Sequence, residues 1–178
     1  MSVLLHICCA PCSISCIETL RGEGIEPTGF WFNPNIHPYK EYQARKDTLV
    51  DYAGRIGLEL IARDEYGLRP FIRAIYPSLE NRCGTCYRMR FEATARFAAE
   101  NGFDGFSSTL FVSPYQHHEL LRETAVKAAE QFGVSFVYRD FRPGFKEGQK
   151  KAREQQLYMQ KYCGCVFSEV ELYLLSKK

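Results

Sequence analysis

The chain has 178 residues, 46% hydrophobic and 25% charged, which is typical of a globular domain with a buried core and excludes disordered, collagen-like and solenoid proteins. Its 23 basic and 21 acidic residues leave a formal charge of +2, so net charge alone indicates neither a nucleic-acid nor a membrane partner. Eight cysteines, however, are too many for inert core residues, and they require a redox or metal explanation.

The predicted elements alternate between short β-like runs and longer amphipathic runs, a pattern typical of a parallel sheet covered by helices. In the first half of the chain we expect strands at 3–7, 28–32 and 58–62, and helices at 13–21, 39–56 and 68–76. Ser13 is the expected N-cap of the first helix. In the second half we expect helices at 87–101 and 117–132, strands at 106–112 and 135–138, and helix on both sides of a cysteine pair near the C-terminus.

These elements predict a single α/β domain over 1–178, a three-layer parallel sheet with helices on both faces. The C-terminal helical segment 144–178 is expected to complete its site. In open parallel sheets the site lies at the carboxyl ends of the strands. Those ends carry three cysteines after strand one, a polar turn at 33–39 that is a candidate substrate loop, Ser113 after strand four, and 140–142 after strand five.

The first 17 residues contain no Asp, Glu, Lys or Arg, so a targeting or membrane segment has to be considered. The apolar run at 3–7 is short, no basic region precedes it, and Pro11, serines and cysteines interrupt the residues after it. A buried first strand fits this segment better. We therefore predict a cytoplasmic protein without a membrane partner, in which stable disulfides are not the default.

The first cysteine group is Cys8, Cys9 and Cys12, at the predicted turn from the first strand to the first helix. Backbone N–H groups and the positive end of the helix dipole would face these sulfurs and favour the thiolate, which is the nucleophilic and metal-binding form. Cys16 lies outside every close pair. Because free cysteine is among the most buried residue types, we expect Cys16 to be a small core residue.

Two further cysteine pairs have their own spacings. Cys83 and Cys86 form a C-x-x-C motif that can bind one metal or close a disulfide, and Gly84 is expected to permit a tight turn between them. A single residue separates Cys163 from Cys165. A bridge there would close a small, strained ring, and strained disulfides are the easily reduced, catalytic kind.

The cysteine spacings by themselves leave three chemistries open. Zinc would be satisfied by two C-x-x-C knuckles, which suggests a zinc-stabilised RNA-binding module. A C-x-x-C motif between a strand and a helix suggests a thiol-disulfide oxidoreductase. An iron-sulfur cluster needs four thiolates, tolerates irregular spacing, and leaves an extra pair as a redox relay, so it accounts for the most cysteines.

Basic and aromatic residues alternate near two of the cysteine groups, an arrangement that holds single-stranded RNA loops in other proteins. One set flanks the C-x-x-C motif, and the other lies in the run 139–153 before the last cysteine pair. The candidate substrate-binding residues from these sets are Arg82, Arg88, Arg90, Arg142 and Lys150.

Three motifs in order along nearly the whole chain resemble those of the cysteine-rich epoxyqueuosine reductases of the QueH family. They are His-Ile-Cys-Cys-Ala-Pro-Cys-Ser at 6–13, Arg-Cys-Gly-Thr-Cys-Tyr at 82–87, and Tyr-Cys-Gly-Cys at 162–165. The resemblance implies an enzyme of queuosine biosynthesis that removes the epoxide oxygen of epoxyqueuosine at the tRNA wobble position. It also implies a fold similar to the HUP, or PP-loop pyrophosphatase, α/β domains.

The same resemblance implies roles for individual cysteines. It assigns a 4Fe-4S cluster to Cys8, Cys9, Cys83 and Cys86, and a redox-active pair to positions 163 and 165. Adjacent side chains diverge in a regular strand, so Cys8 and Cys9 can face one cluster only if the backbone turns there.

The resemblance leaves Cys12 free to bind an additional iron ion or to contact substrate. Its implied partners are the tRNA anticodon loop and an external electron donor. Asp140 and Tyr162 are candidate proton donors on position alone.

Overall fold

The computed structural model of the protein describes residues 1–175. Five parallel strands form one sheet in the order β3-β2-β1-β4-β5. The strands are β1 (Val3–His6), β2 (Pro27–Trp31), β3 (Leu60–Ala62), β4 (Gly105–Ser108) and β5 (Ser135–Phe136). The strand order reverses between β1 and β4, and in such sheets the crevice at this reversal is where ligands bind.

Seven α-helices within residues 1–175 surround the sheet, which confirms the predicted α/β class with helices on both faces. Helix α1 packs against α2 and α6, and α4 packs against α5. Between residues 1 and 175 no helix is long and apolar enough to cross a membrane. The helices are α1 (Ala10–Gly22), α2 (Tyr39–Ile56), α3 (Leu68–Ile75), α4 (Arg82–Glu100), α5 (His118–Phe132), α6 (Phe145–Glu154) and α7 (Val166–Val170), the last followed by a π-helical turn at Glu171–Leu175.

The core is built around the central strand β1 and its neighbour β2. All four residues of β1 are buried, and Phe30 and Trp31 of β2 are fully buried. The indole N–H of Trp31 donates a hydrogen bond to the Tyr42 hydroxyl of α2 over 3.1 Å. Burial of each such aromatic or aliphatic side chain stabilises the fold by roughly 1.5–3 kcal/mol. The strands that carry the cysteines at their carboxyl ends are therefore firmly held in the core.

The first helix begins three residues earlier than the sequence predicts. Its N-cap is Cys9, and Pro11 lies in its first turn, where proline is favoured because no N–H partner is needed there. Ser13 is therefore inside the helix, and its hydroxyl donates to the Ala10 carbonyl over 2.8 Å. The prediction of Ser13 as N-cap is wrong, and the first turn of α1 carries Cys12.

Two other predicted boundaries are also wrong, and both lie next to the cysteines. Helix α4 begins at Arg82, not at Tyr87, so Gly84 lies in a helical turn, where an added Cβ would come within 2.6 Å of Asn81 Oδ1. Strand β4 ends at Ser108, and a 3₁₀ turn at Thr109–Val112 follows. The Ser108 hydroxyl accepts from the Leu110 N–H and caps that turn. The remaining elements are found within a few residues of their expected bounds.

Candidate active site

The turn from β1 into α1 brings three thiols together. The Sγ atoms of Cys8, Cys9 and Cys12 all lie within 4.8 Å of one another, a grouping that can hold a metal ion. Cys9 has extended backbone angles immediately before the helix, and this turn places its Sγ 3.8 Å from that of Cys8. Neighbouring cysteines, whose side chains would diverge in a regular strand, therefore face the same point.

The 3₁₀ turn after strand β4 contributes a hydroxyl to this thiol group. The backbone N–H of Cys8 donates to Thr109 Oγ1 over 3.3 Å. The Thr109 hydroxyl in turn donates to Cys8 Sγ over 3.6 Å. These contacts join β1 to β4 at the point where the strand order reverses. The group therefore occupies the crevice that the topology predicts for a ligand.

The three thiols have different acidities. Hydrogen bonds from Cys12 and then Cys9, assisted by Thr109, hold the pKa of Cys8 well below the usual thiol value, against the effect of burial. Burial raises the pKa of Cys9, and the hydrogen bonds to Cys8 and Cys9 raise the pKa of Cys12. Cys8 is therefore the most acidic of the three thiols, and its two neighbours stabilise its thiolate form.

Gln160, which belongs to none of the sequence motifs, donates hydrogen bonds to the thiol group. Gln160 lies on the segment after α6, and its amide Nε2 donates to Cys9 Sγ over 2.9 Å and to Cys12 Sγ over 3.4 Å. Its Oε1 atom is buried and has no hydrogen-bond partner among the described residues. Only its position three residues before the Cys163 pair could have suggested this role.

The other two cysteine pairs lie around α4. Cys83 and Cys86 are three residues apart on its first turns, so their side chains share one side of the helix. Arg90 is 1% exposed, and its Nη2 donates to Cys86 Sγ over 3.2 Å. Burial raises the pKa of Cys86 to about 12, an effect that the Arg90 charge opposes.

Two neighbouring cavities connect these groups. The larger cavity has a volume of about 680 Å³, and the cysteines in its wall are Cys8, Cys12 and Cys163. The smaller cavity has a volume of about 300 Å³, and the cysteines in its wall are Cys83, Cys86, Cys163 and Cys165. Cys163 is exposed and lies on the wall of both. The amide of Gln116, which also lines both cavities, donates to Cys163 Sγ over 3.3 Å.

Comparisons with known proteins decide the family. A family model described as "Epoxyqueuosine reductase QueH" matches residues 3–171. The chain belongs to this family. Similar relatives, each named epoxyqueuosine reductase QueH, come from Dehalococcoides mccartyi (36% identical, 96% of this chain and 94% of the relative), Acinetobacter baylyi (38%, 93% and 79%) and Thermotoga maritima (33%, 96% and 91%).

A solved structure supports the fold independently of the sequence. It is described as a predicted subunit of a tRNA methyltransferase from Methanocaldococcus jannaschii, and it aligns with a TM-score of 0.56 over 86% of this chain and 75% of that one. The identity is only 14%, so this likeness concerns the fold alone. Membership of the QueH family does not favour the zinc module or the thiol-disulfide oxidoreductase.

In this QueH chain the candidate substrate-binding residues fall into two sets. Arg82 and Arg90 line the smaller cavity, where Arg82 pairs with Glu171. The other three line neither cavity and pair with acidic side chains at the surface. These pairs are Arg88 with Glu92, Arg142 with Asp140, and Lys150 with Glu154.

Besides Arg45, which pairs with Glu41, three other cations line the larger cavity of the QueH site. They are Lys146, Arg153 and Lys161, and within residues 1–175 none has an acidic side chain within 4.0 Å. Lys146 and Arg153 belong to the basic run that the sequence shows before the last cysteine pair. Lys161 was not among the predicted site residues, although it stands two residues before Cys163.

The two candidate proton donors have other partners. A hydrogen bond from Arg142 lowers the pKa of Asp140 to about 2, and Asp140 lines neither cavity. Tyr162 lines the larger cavity, but its hydroxyl donates to the His37 carbonyl, and burial raises its pKa. Cys16 is fully buried as predicted, and its thiol donates to the Cys12 carbonyl over 3.3 Å.

Proposed function

We propose that this member of the QueH family reduces the epoxide of epoxyqueuosine at the wobble position of tRNA, the last step of queuosine biosynthesis. The observation that carries the proposal is the position of Cys163, whose side chain lines both the cavity with the Cys8 group and the cavity with the Cys83 pair. A dithiol between the two cavities can react with substrate in one of them and exchange electrons with a metal group bound by the thiols of either cavity.

The thiol chemistry of the site suits a 4Fe-4S cluster, and the thiols that lie within 4.8 Å of one another are those of Cys8, Cys9 and Cys12. Such clusters are bound by four cysteine thiolates, all eight cysteines here are free thiols, and the adjacent Cys8 and Cys9 converge as shared binding requires. The residues that would hold the cluster are Cys8, Cys9, Cys83 and Cys86. When bound, it supplies one-electron transfer at a potential set by its surroundings.

Cys12 would remain beside that cluster. Its thiol lies within 4.8 Å of the other two sulfurs of its group and lines the larger cavity. We propose that it binds an additional iron ion or contacts the substrate. Thr109 and Gln160 donate hydrogen bonds to this thiol group and hold it in place whichever role Cys12 takes.

The stoichiometry of the reaction matches the Cys163 and Cys165 pair. Converting the epoxide to an alkene and water breaks two C–O bonds and consumes two electrons and two protons. Oxidation of one dithiol to a disulfide breaks two S–H bonds, forms one S–S bond and releases the same two electrons and two protons. An external electron donor must then return the disulfide to the dithiol.

The larger cavity offers phosphate-binding groups for the tRNA anticodon loop. Lys146, Arg153 and Lys161 line this cavity without acidic partners among the described side chains, so their charge is available to an anion. Arg82 and Arg90 remain proposed substrate contacts in the smaller cavity. The proposed substrate contacts outside both cavities are Arg88, Arg142 and Lys150. We propose the cytoplasm as the compartment, because thiols that act as metal ligands and as a redox pair require a reducing environment.

We also propose that 1–178 is one domain and that segment 144–178 completes its site. Gln160 and Cys163 of that segment support this, since they contact or adjoin the thiols that follow β1. The last three residues, 176–178, lie outside the described part.

The test is turnover of tRNA that carries epoxyqueuosine, measured with anaerobically purified protein. We expect Cys163→Ser to abolish product while iron and sulfide content stay at the level of the unmodified protein. Cys16→Ser is the matched control, because Cys16 is a buried thiol that lines neither cavity, and it should retain turnover. Full activity of Cys163→Ser would contradict the dithiol role, and loss of iron from it would mean that Cys163 is a metal ligand.

A further inference from the structure

The loop that carries Cys163 and Cys165 is held by an arginine from the other end of the chain. Arg45 lies in α2, and its side chain is 1% exposed. Its Nη1 donates to the Cys163 carbonyl over 3.0 Å, and its Nη2 donates to the Tyr162 carbonyl over 2.9 Å. Its third nitrogen, Nε, donates to Glu41 Oε1 over 2.7 Å. All three guanidinium nitrogens are therefore in use.

The next carbonyl of the loop is also fixed. The His37 N–H, from the turn after β2, donates to the Gly164 carbonyl over 2.7 Å. Three consecutive carbonyls, those of Tyr162, Cys163 and Gly164, thus accept hydrogen bonds from one side of the molecule. The turn at 33–39, which the sequence suggested as a substrate loop, supports the cysteine loop through this bond.

The cost of burying Arg45 indicates that the arrangement is more than packing. A buried guanidinium loses its hydration, and this loss is offset only when its donors are satisfied and a counter-charge is close. Glu41 supplies the charge, but the two remaining nitrogens are directed to backbone atoms of the redox loop. The planar guanidinium group can donate to two neighbouring carbonyls at once. A lysine ammonium group on a flexible side chain does not reproduce this geometry.

We propose that Arg45 is a positioning residue that holds the Cys163 and Cys165 loop in the conformation of the free dithiol, with the Cys163 thiol at the junction of the two cavities. The inference rests on the proposed function in taking these cysteines as the redox pair. Oxidation of the pair forms an S–S bond across Gly164, with release of two protons and two electrons to the substrate, and the carbonyls that Arg45 holds must adjust as that small ring closes. Arg45 therefore favours the dithiol over the disulfide.

The experiment measures the dithiol–disulfide equilibrium of this pair in the metal-loaded protein, in mixtures of reduced and oxidised dithiothreitol, by alkylation and mass spectrometry. We expect Arg45→Met to shift the equilibrium at least tenfold toward the disulfide, equivalent to about 30 mV for a two-electron couple. With tRNA carrying epoxyqueuosine, kcat should fall at least tenfold with KM unchanged, and iron content should not change. Arg45→Lys should show the same direction of shift.

Two further variants separate positioning from folding. Arg55→Met is the matched control, since Arg55 lies on the same helix in an exposed pair with Asp51, and it should leave the equilibrium unchanged. If Arg45→Met does not fold because Glu41 is left unpaired, the double variant Arg45→Met with Glu41→Gln removes that charge and keeps an acceptor for Tyr158.

An equilibrium unchanged in the folded Arg45 variants, or restored fully by lysine, overturns the inference. Failure of the dithiol role itself would appear separately, as full turnover by Cys163→Ser.

Discussion

Gln160 donates its amide N–H to Cys9 Sγ over 2.9 Å, although 151 residues separate the two along the chain. The bond joins the segment after α6 to the turn after β1, and a second, longer bond reaches Cys12. An N–H donor stabilises negative charge on sulfur, whether the sulfur is a thiolate or a metal ligand. Gln160 is therefore a candidate for controlling how tightly this group holds metal.

Replacing Gln160 by leucine should weaken iron retention. Loss of a hydrogen bond to a metal-binding side chain typically costs about 10–100-fold in metal affinity or activity. The measurement is iron release from the anaerobic protein during titration with a chelator. Gln149→Leu is the control, because Gln149 lines the same cavity and has no described contact with a thiol. Equal iron release from the two variants would contradict a role for the Gln160 amide.

Gly164→Ala should disrupt the redox loop. Gly164 has φ +143°, which L side chains rarely adopt, and an added Cβ would approach Asn35 Nδ2 and Ile36 Cγ1 to 3.2 Å. We expect a loss of about 1–3 kcal/mol in unfolding free energy, measured by denaturant titration, together with reduced turnover.

Gly54→Ala is the matched control for this glycine, since Gly54 lies in α2 and an added Cβ there would meet nothing within 4 Å. It should raise stability by roughly 0.5–1 kcal/mol, because alanine is the better helix former. A Gly164→Ala protein as stable and active as the control would show that the loop relaxes freely.

Lys161→Ala should weaken tRNA binding in a salt-dependent manner. If Lys161 contacts one phosphate of a single-stranded loop, its loss should reduce the slope of log affinity against log salt by about 0.7. Binding measured by filter retention at several salt concentrations gives this slope. Lys127→Ala, on the exposed face of α5 and outside both cavities, should not change it.

Asp140→Asn should leave the pH dependence of turnover unchanged between about pH 5 and 9. The Arg142 hydrogen bond lowers the pKa of Asp140 to about 2, so the carboxylate is ionised throughout this range and carries no proton to donate. Because the folded pKa is depressed, the pair's contribution to stability is present above about pH 4 and is lost as the pH falls toward 2. A changed acidic limb in the turnover profile would restore Asp140 as a proton donor.

The fold class and the family were accessible from the sequence. Alternating β-like and amphipathic runs record local burial, so they identify the parallel sheet and place the cysteines after β1. The three cysteine motifs, in their order along the chain, resemble those of the QueH family, and the family model confirms that resemblance. Helix starts were less accessible: Pro11 is a usable signal for the early start of α1, whereas nothing local distinguishes a helical C-x-x-C at Cys83 from one in a turn.

The spatial relation of the cysteine groups emerged only with the tertiary structure. Cys163 lines both cavities only because α4 and the segment after α6 meet at the carboxyl edge of the sheet. Gln160 contacts Cys12, which lies 148 residues away along the chain, and Arg45 contacts Cys163, which lies 118 residues away. No local sequence pattern marks either residue. Side-chain direction and long-range contact depend on how the helices pack over the sheet, and that packing is a property of the whole fold.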